Sequence, residues 1–134
     1  MKNSITKAVI PVAGMGTRCL PATKAVPKEL LPIVDKPVIQ YIVEEAIASG
    51  ITDIIFISSQ NKNAIERYFS TDRALEKLLR EKGKMEELAA VESLSHLANF
   101  HYIDQAEPLG LGHAVLLAED MLDDGPFLVF GGDD

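Results

Sequence analysis

Apolar residues run along this chain in two rhythms. Short unbroken runs, rich in β-branched residues, occupy Ile5 to about Val12, Asp53–Ser58, Phe100–Ile103 and Phe127–Phe130. Runs of that length without polar alternation suit parallel strands covered on both faces. Pro11 cannot donate to a ladder, so regular pairing should stop near it. Between the runs the period changes to that of a helix. Val38, Ile42 and Ala46, with Ile39, Val43 and Ile47, recur four residues apart and form one stripe, which leaves Glu44 and Glu45 on the solvated side. Asp35-Lys36-Pro37 suits the start of that helix and Gly50 its end. Asn61 can cap a short helix through Ile65 and Phe69. From Thr71 to about Leu97 the pattern is helical and highly charged, with Leu75, Leu78, Leu79, Met85, Leu88 and Val91 as expected core contacts and Gly83 as a break. Gly112–Glu119 predicts a further packed helix.

Strands alternating with helices predict an α/β fold, a mostly parallel sheet joined by right-handed crossovers. At 134 residues the chain has the length of one domain with a single core. The charged stretch at about 71–97 reads as a surface helical excursion, because a few leucines cannot build a core alone. Ligands of such sheets bind beyond the carboxyl ends of the strands. Three conspicuous loops follow strand ends here, at Ala13–Pro32, Asp104–Gly112 and Gly131–Asp134, which predicts one shared site.

The first of these loops carries the strongest chemistry. The strand runs into Gly14-Met15-Gly16-Thr17-Arg18, where two glycines let backbone N–H groups turn inward on a phosphate. Arg18 and Lys28 bring two cations to the segment, with Lys24 between them, and Pro21, Pro27 and Pro32 stiffen it. The spacing describes a polyphosphate cradle, or else an ordinary strand-to-helix turn with scattered lysines. It is not the dinucleotide fingerprint, since Cys19 stands at the third glycine, nor a Walker A loop. Gln105-Ala106-Glu107-Pro108-Leu109-Gly110-Leu111-Gly112 follows the third strand. The Gln105 amide can meet the O4 and N3–H edge of uracil, and Gly110 leaves room for a flat base. A plain Pro/Gly turn before a helix would carry the same letters. Gly131-Gly132-Asp133-Asp134 offers an uncrowded carboxylate that suits Mg²⁺, or is simply an acidic stretch.

Composition narrows the classes. The net charge of −7 argues against non-specific nucleic-acid binding. Residues 1–36 hold six Lys/Arg against Glu29 and Asp35, a balance of +4, which leaves −11 for the rest. A basic segment on an acidic body suits capture of a small anion. No run is long enough to span a membrane and MKNSITK has no signal-peptide core, so no membrane partner is expected. One cysteine excludes an internal disulfide and makes a cytoplasmic setting the default. That cysteine and the three histidines lack zinc-ligand spacing.

The wording from Gly14 to Pro37, GMGTRCLPATKAVPKELLPIVDKP, closely resembles the signature of sugar-1-phosphate nucleotidyltransferases, and Pro11–Gly50 is most similar to the bacterial UTP–glucose-1-phosphate uridylyltransferases. The resemblance extends over essentially the whole chain. It implies a Rossmann-like fold of the nucleotide-diphospho-sugar transferase type and the reaction UTP + glucose 1-phosphate ⇌ UDP-glucose + pyrophosphate. By the same resemblance, Arg18 would neutralise the β/γ phosphates and departing pyrophosphate, and Lys28 would reach the phosphates at the reacting centre. Ala13 and Gly14 would lie against the nucleoside, with Gly16 and Thr17 in the nucleotide loop. Gln105 would read the base beside Gly110, and Asp133 would hold Mg²⁺. His113 reads only as a first-turn helix residue. Cys19 and Gly131-Gly132 depart from the uridylyltransferase pattern without altering a ligand group. A dTTP-using relative remains open, since thymine shows Gln105 the same edge, as does a nucleotide-binding module without catalysis. Family members continue well past residue 134, so the chain is expected to be an amino-terminal part or a truncated product. The remainder would supply sugar contacts, a second metal carboxylate and much of the contact of a homo-oligomer.

Overall fold

The computed structural model describes residues 5–12, 20–22, 25–58, 63–105, 111–122 and 125–130. In chain order the elements are β1 (Lys7–Pro11), a one-turn 3-10 helix (Lys28–Leu30), β2 (Pro32–Ile33), β3 (Lys36–Pro37), α1 (Val38–Ala48) and β4 (Asp53–Ser58). There follow α2 (Asn63–Phe69), α3 (Arg73–Glu81), α4 (Met85–Leu94), β5 (Asn99–Asp104), α5 (Leu111–Leu117), α6 (Glu119–Leu122) and β6 (Leu128–Val129).

The main sheet is parallel, in the order β5-β4-β1-β6. Its two inner strands explain it. In β1, Ala8 and Ile10 turn to one face and Val9 to the other; in β4, Ile54 and Phe56 oppose Ile55 and Ile57. All seven are buried, as unbroken apolar runs require when helices cover both faces. The first face packs on Ile39, Val43 and Ala46 of α1 and on Ile65 and Phe69 of α2. The second packs on Ala114 of α5 and on Ala118 and Leu122. Phe56 is the hub of the first face, its ring centroid 5.6–5.9 Å from those of Phe69, Phe100 and Tyr102.

Pro11 ends the ladder as expected, and the reason is directional. Val12 N–H still donates to Ile57 O at 2.8 Å, so even-numbered residues of β1 face β4. Pro11 therefore faces β6, whose described pairing stops where Phe130 N–H meets Val9 O at 3.0 Å. The next rung of a parallel ladder would run from the nitrogen of residue 11 to Phe130 O, so the proline withholds one donor at the point where the pairing ends.

Helix α1 begins after Pro37, which sits at its N-cap without a side-chain cap. It closes on Gly50 at φ +101°, with Ile51 N–H on Ala46 O at 3.1 Å and Gly50 N–H on Ile47 O at 3.0 Å. Those two bonds are a Schellman cap, and the positive φ is why glycine stands there. Gly83, at φ +72°, likewise parts α3 from α4.

Four expectations need correction. Leu75 and Leu78 of α3 and Met85 at the start of α4 are exposed, with α3 packed chiefly along α4; among the apolar residues named for this stretch, Leu88 alone is buried. Glu44 is half-buried and ion-paired with Lys36 at 3.2 Å, not simply solvated. The helix expected over Gly112–Glu119 is two short ones. Ala118 N–H reaches back only three residues, to Val115 O, and Met121 N–H likewise to Ala118 O, so the α-helical spacing lapses there. The stretch about Pro32–Pro37 holds an antiparallel ribbon, β2 with β3, turning at Val34 with φ 63°. The proposed cap Asn61 lies outside the described residues.

Because Phe56 joins α2, β4 and β5 in one ring cluster, Phe56→Ala is expected to remove about 3–5 kcal/mol of stability. Urea unfolding reads this directly. A loss below about 1 kcal/mol would mean that the cluster collapses around the gap.

Candidate functional site

Parallel register brings the strand ends level. Pro11 stands opposite Ile57, and Ser58 opposite Asp104, while β6 pairs with β1 through Val9 and Val129. The chain thus leaves β1, β5 and β6 from the same edge of one sheet. The strand order reverses at β1: β4 and β5 are added on one side of it and β6 on the other. Ligands of open α/β sheets collect beyond the carboxyl ends at such a switch point. With strands about 4.8 Å apart, β5 stands roughly 10 Å from β1, a suitable span between a base reader and a phosphate loop.

Two of the expected site residues fall among the described ones. Gln105 follows β5 directly, and its N–H donates to Ser58 O at 2.6 Å, continuing the ladder by one rung. The residue is only 3% exposed, so its amide needs internal partners. One is His113 in the first turn of α5, whose Nδ1 lies 3.0 Å from Gln105 Nε2. Lys28 opens the 3-10 turn and is half-buried. The turn is held by Leu30 N–H on Pro27 O at 2.9 Å and joined to α1 by Val38 N–H on Leu31 O at 3.1 Å. Ala13, Gly14, Gly16, Thr17, Arg18, Gly110 and Asp133 lie outside the described residues, as does Lys24. Among the described residues no group of three His, Cys, Asp or Glu side chains could hold a metal. No described helix is long and apolar enough to cross a membrane.

The connection that carries Lys28 is braced from below by a polar relay. Lys36 Nζ donates to both Glu44 oxygens at 3.2 Å, and Gln40 Nε2 donates to Glu44 Oε2 at 3.0 Å. Tyr68 Oη donates to Gln40 Oε1, which ties α2 into the same chain. Burial, reinforced by the Glu44 charge, pushes the Tyr68 phenol up, so it stays a donor. Lys36 also stands 5.6 Å from the Tyr41 ring centroid. Glu29, beside Lys28, is buried at 2% exposure. No pattern in the sequence marked Glu29 or His113. His113 carries weight through its contact with Gln105, and i-to-i+4 or strand spacing does not reveal such a neighbour.

This chain matches the nucleotidyl transferase family over residues 7–134. The chain belongs to that family. The UTP–glucose-1-phosphate uridylyltransferase YngB of Bacillus subtilis is 61% identical over 134 residues, all of this chain and 45% of that protein. A second UTP–glucose-1-phosphate uridylyltransferase of the same organism is 58% identical over 130 residues, 97% of this chain and 44% of that protein. The solved structure of a UTP-bound UGPase from Acinetobacter baumannii aligns with a TM-score of 0.91 at 43% identity, covering 96% of this chain and 46% of that one. The chain therefore spans a little under half the length of these nucleotidyl transferase relatives.

Two open hollows lie elsewhere on this nucleotidyl transferase chain. One, of about 470 Å³, is lined by Gly50, Thr52, Ser95 and Asn99 among others; the second, of about 610 Å³, by Asp53, Thr71, His101 and Tyr102 among others. Neither includes Lys28 or Gln105, and the first adjoins the amino ends of β4 and β5. The size of a hollow is a weaker guide here than the direction of the strands. Asp53 nevertheless has distinctive electrostatics. Burial pushes its carboxyl up, but hydrogen bonds from Thr52 at 3.0 Å, His101 at 3.4 Å and Asn99, with the His101 charge, outweigh that and hold it below its ordinary 3.8.

A carboxyl whose pKa is depressed on folding adds stability that is present above its unfolded value and lost as pH falls through the folded one. Asp53→Asn is therefore expected to flatten the stability profile below about pH 4. Chemical unfolding from pH 7 to pH 2.5 measures it, and an unchanged acid limb would refute the assignment.

Proposed function

We propose that this chain is the nucleotide-binding part of an enzyme that forms UDP-glucose and pyrophosphate from UTP and glucose 1-phosphate. The observation that carries the reading is the level edge where β1, β5 and β6 end, with Gln105 buried on one strand end and the Gly14–Arg18 segment entered from another. Similarity to uridylyltransferases supports the choice of substrates. In the reaction a sugar-phosphate oxygen attacks the α-phosphorus of UTP in line, the bond to the bridging oxygen breaks, and pyrophosphate leaves with its electron pair. Such chemistry needs positioning and charge neutralisation more than a covalent nucleophile.

The roles divide accordingly. Backbone N–H groups of Ala13, Gly14, Gly16 and Thr17 are assigned to the nucleotide, and Gln105 with Gly110 to the uracil edge. Arg18 would neutralise the β and γ phosphates, and Lys28 the reacting centre. Asp133 is assigned to Mg²⁺. One carboxylate together with substrate phosphates is a donor set that suits this hard ion, which would supply further neutralisation of phosphate charge. A cytoplasmic setting and a homo-oligomeric state complete the proposal. A dTTP-using enzyme is the alternative within the class. A binding module without turnover is the alternative outside it, favoured for the isolated chain by its partial span of its relatives.

Exchange of labelled pyrophosphate into UTP by the natural gene product, dependent on UDP-glucose, tests the activity. Preferential exchange into dTTP would replace UTP in the reading. Arg18→Ala is expected to weaken UTP by about 1.5–3 kcal/mol and to leave UMP nearly unchanged, since a charge-assisted contact to the outer phosphates is lost. Equal weakening of both ligands in calorimetry would sink that role. Purified as these 134 residues alone, the chain is expected to bind UTP without making UDP-glucose, because its assigned residues cover only the nucleotide. Mg²⁺-dependent UDP-glucose formation by protein of verified mass would overturn this.

A further inference from the structure

We propose that Glu44 is a positioning residue for the reaction: it fixes the ribbon that follows Lys28, and through it the point from which Lys28 reaches the reacting centre. The inference rests on the role proposed above for Lys28. That ribbon has little of its own to hold it. Its strands β2 and β3 are two residues each, and in one of their two pairs Pro32 stands opposite Pro37, so neither has an N–H to give. Its turn adds strain. Val34, a β-branched residue, sits at φ 63° in the left-handed region, and it is 95% exposed. Such a conformation persists only where the surroundings impose it.

Helix α1 imposes it with two side chains, one for each strand. Tyr41 Oη donates to Ile33 O of β2 at 3.2 Å and lies 3.5 Å from Asp35 Oδ1 in the turn. Glu44 takes the other strand, accepting from Lys36 Nζ of β3 on both oxygens at 3.2 Å. Its carboxylate is in turn aimed from the opposite side. Gln40 Nε2 donates to Glu44 Oε2 at 3.0 Å, and Gln40 Oε1 accepts from Tyr68 of α2. The Tyr68 ring meets the buried Phe69 edge-on, with centroids 5.0 Å apart. A line of contacts therefore runs from the core to Lys36. From there to Lys28 the way is backbone: Lys36 pairs with Ile33, Val38 N–H donates to Leu31 O at 3.1 Å, and Leu31 N–H donates to Lys28 O at 3.2 Å. The Lys36 and Glu44 side chains are 38% and 35% exposed, and an ion pair so open to water adds little stability. What Glu44 supplies is one fixed place for the ribbon to lie.

A double-mutant cycle in the natural gene product tests this, with turnover per folded molecule and the UTP KM measured for Glu44→Ala, Lys28→Ala and the two together. Glu44→Ala is expected to lower kcat about tenfold and to change the UTP KM by less than about twofold, because a displaced Lys28 loses a contact made in the transition state. In the Lys28→Ala background the same substitution is expected to cost nothing further, since no ammonium is left to misplace. Glu44→Gln, which keeps an acceptor for Lys36, is expected to fall between Glu44→Ala and the unaltered protein. A role in folding alone would lower the urea midpoint and leave turnover per folded molecule unchanged. That result overturns the proposal and leaves Lys28 its role, as does an equal loss of kcat in both backgrounds. If Lys28→Ala keeps full turnover, or the unaltered protein has none, the reading of the reaction fails and the proposal with it. Should Glu44→Ala not fold, the same cycle run with Glu44→Gln decides, and an effect independent of Lys28 overturns the proposal.

Discussion

Everything in this molecule depends on the pairing of β1 with β4. Five consecutive rungs, from Lys7–Asp53 to Pro11–Ile57, put Val9, Ile55 and Ile57 on one face and Ala8, Ile10, Ile54 and Phe56 on the other. A slip of one residue would exchange the two sets, since side chains alternate with a period of two. The helices on the two faces are not interchangeable. One face must meet Ile39, Val43, Ile65 and Phe69 with Ala46, and the other Ala114 and Ala118 with Leu122. Close-packed interiors do not absorb such an exchange of volume. The register of two strands therefore sets the height at which every loop leaves the sheet, including the one that begins after Val12.

Much of this was legible before any coordinates. Strand positions followed from runs of Val, Ile and Phe, and the α1 stripe from i-to-i+4 recurrence, because each is a local pattern with a physical period. Gly50 marked the helix end correctly since its positive φ is a local demand. The failures share one cause. Leu75, Leu78 and Met85 have the spacing of a buried stripe, yet burial is decided by what the helix meets. α3 packs chiefly along α4, held in part by Arg80 to Glu92 at 3.1 Å. Val34 gave no warning either, since a β-branched residue at φ 63° is a poor choice for a turn, and its neighbours Ile33 and Asp35 carry no hairpin signal.

The site divides along the same line. The roles proposed for Gly14, Gly16 and Arg18 rest on backbone freedom and charge, which leave a mark in the letters. His113 does not. It is marked only by a 3.0 Å contact with a residue eight positions away, from the end of a strand into a helix. Lys36, Glu44, Gln40 and Tyr68 form their relay from three different elements. Residues that hold other residues in place are set by tertiary contact, and one sequence carries no record of which contacts form.

This division suits what the two halves of a nucleotide demand. A polyphosphate is recognised by charge, which falls off slowly with distance and tolerates a displaced side chain. A base is recognised by donors and acceptors that must match within a few tenths of an ångström and in the right order. The cations accordingly stand on a connection of some twenty residues between β1 and β2. Gln105 instead stands on the rung next to Ser58, buried, with a ring nitrogen against its amide. The rigid part of the fold thus carries Gln105, and the strand end, being continuous with the core, is a stiff place from which to hold a side chain's orientation.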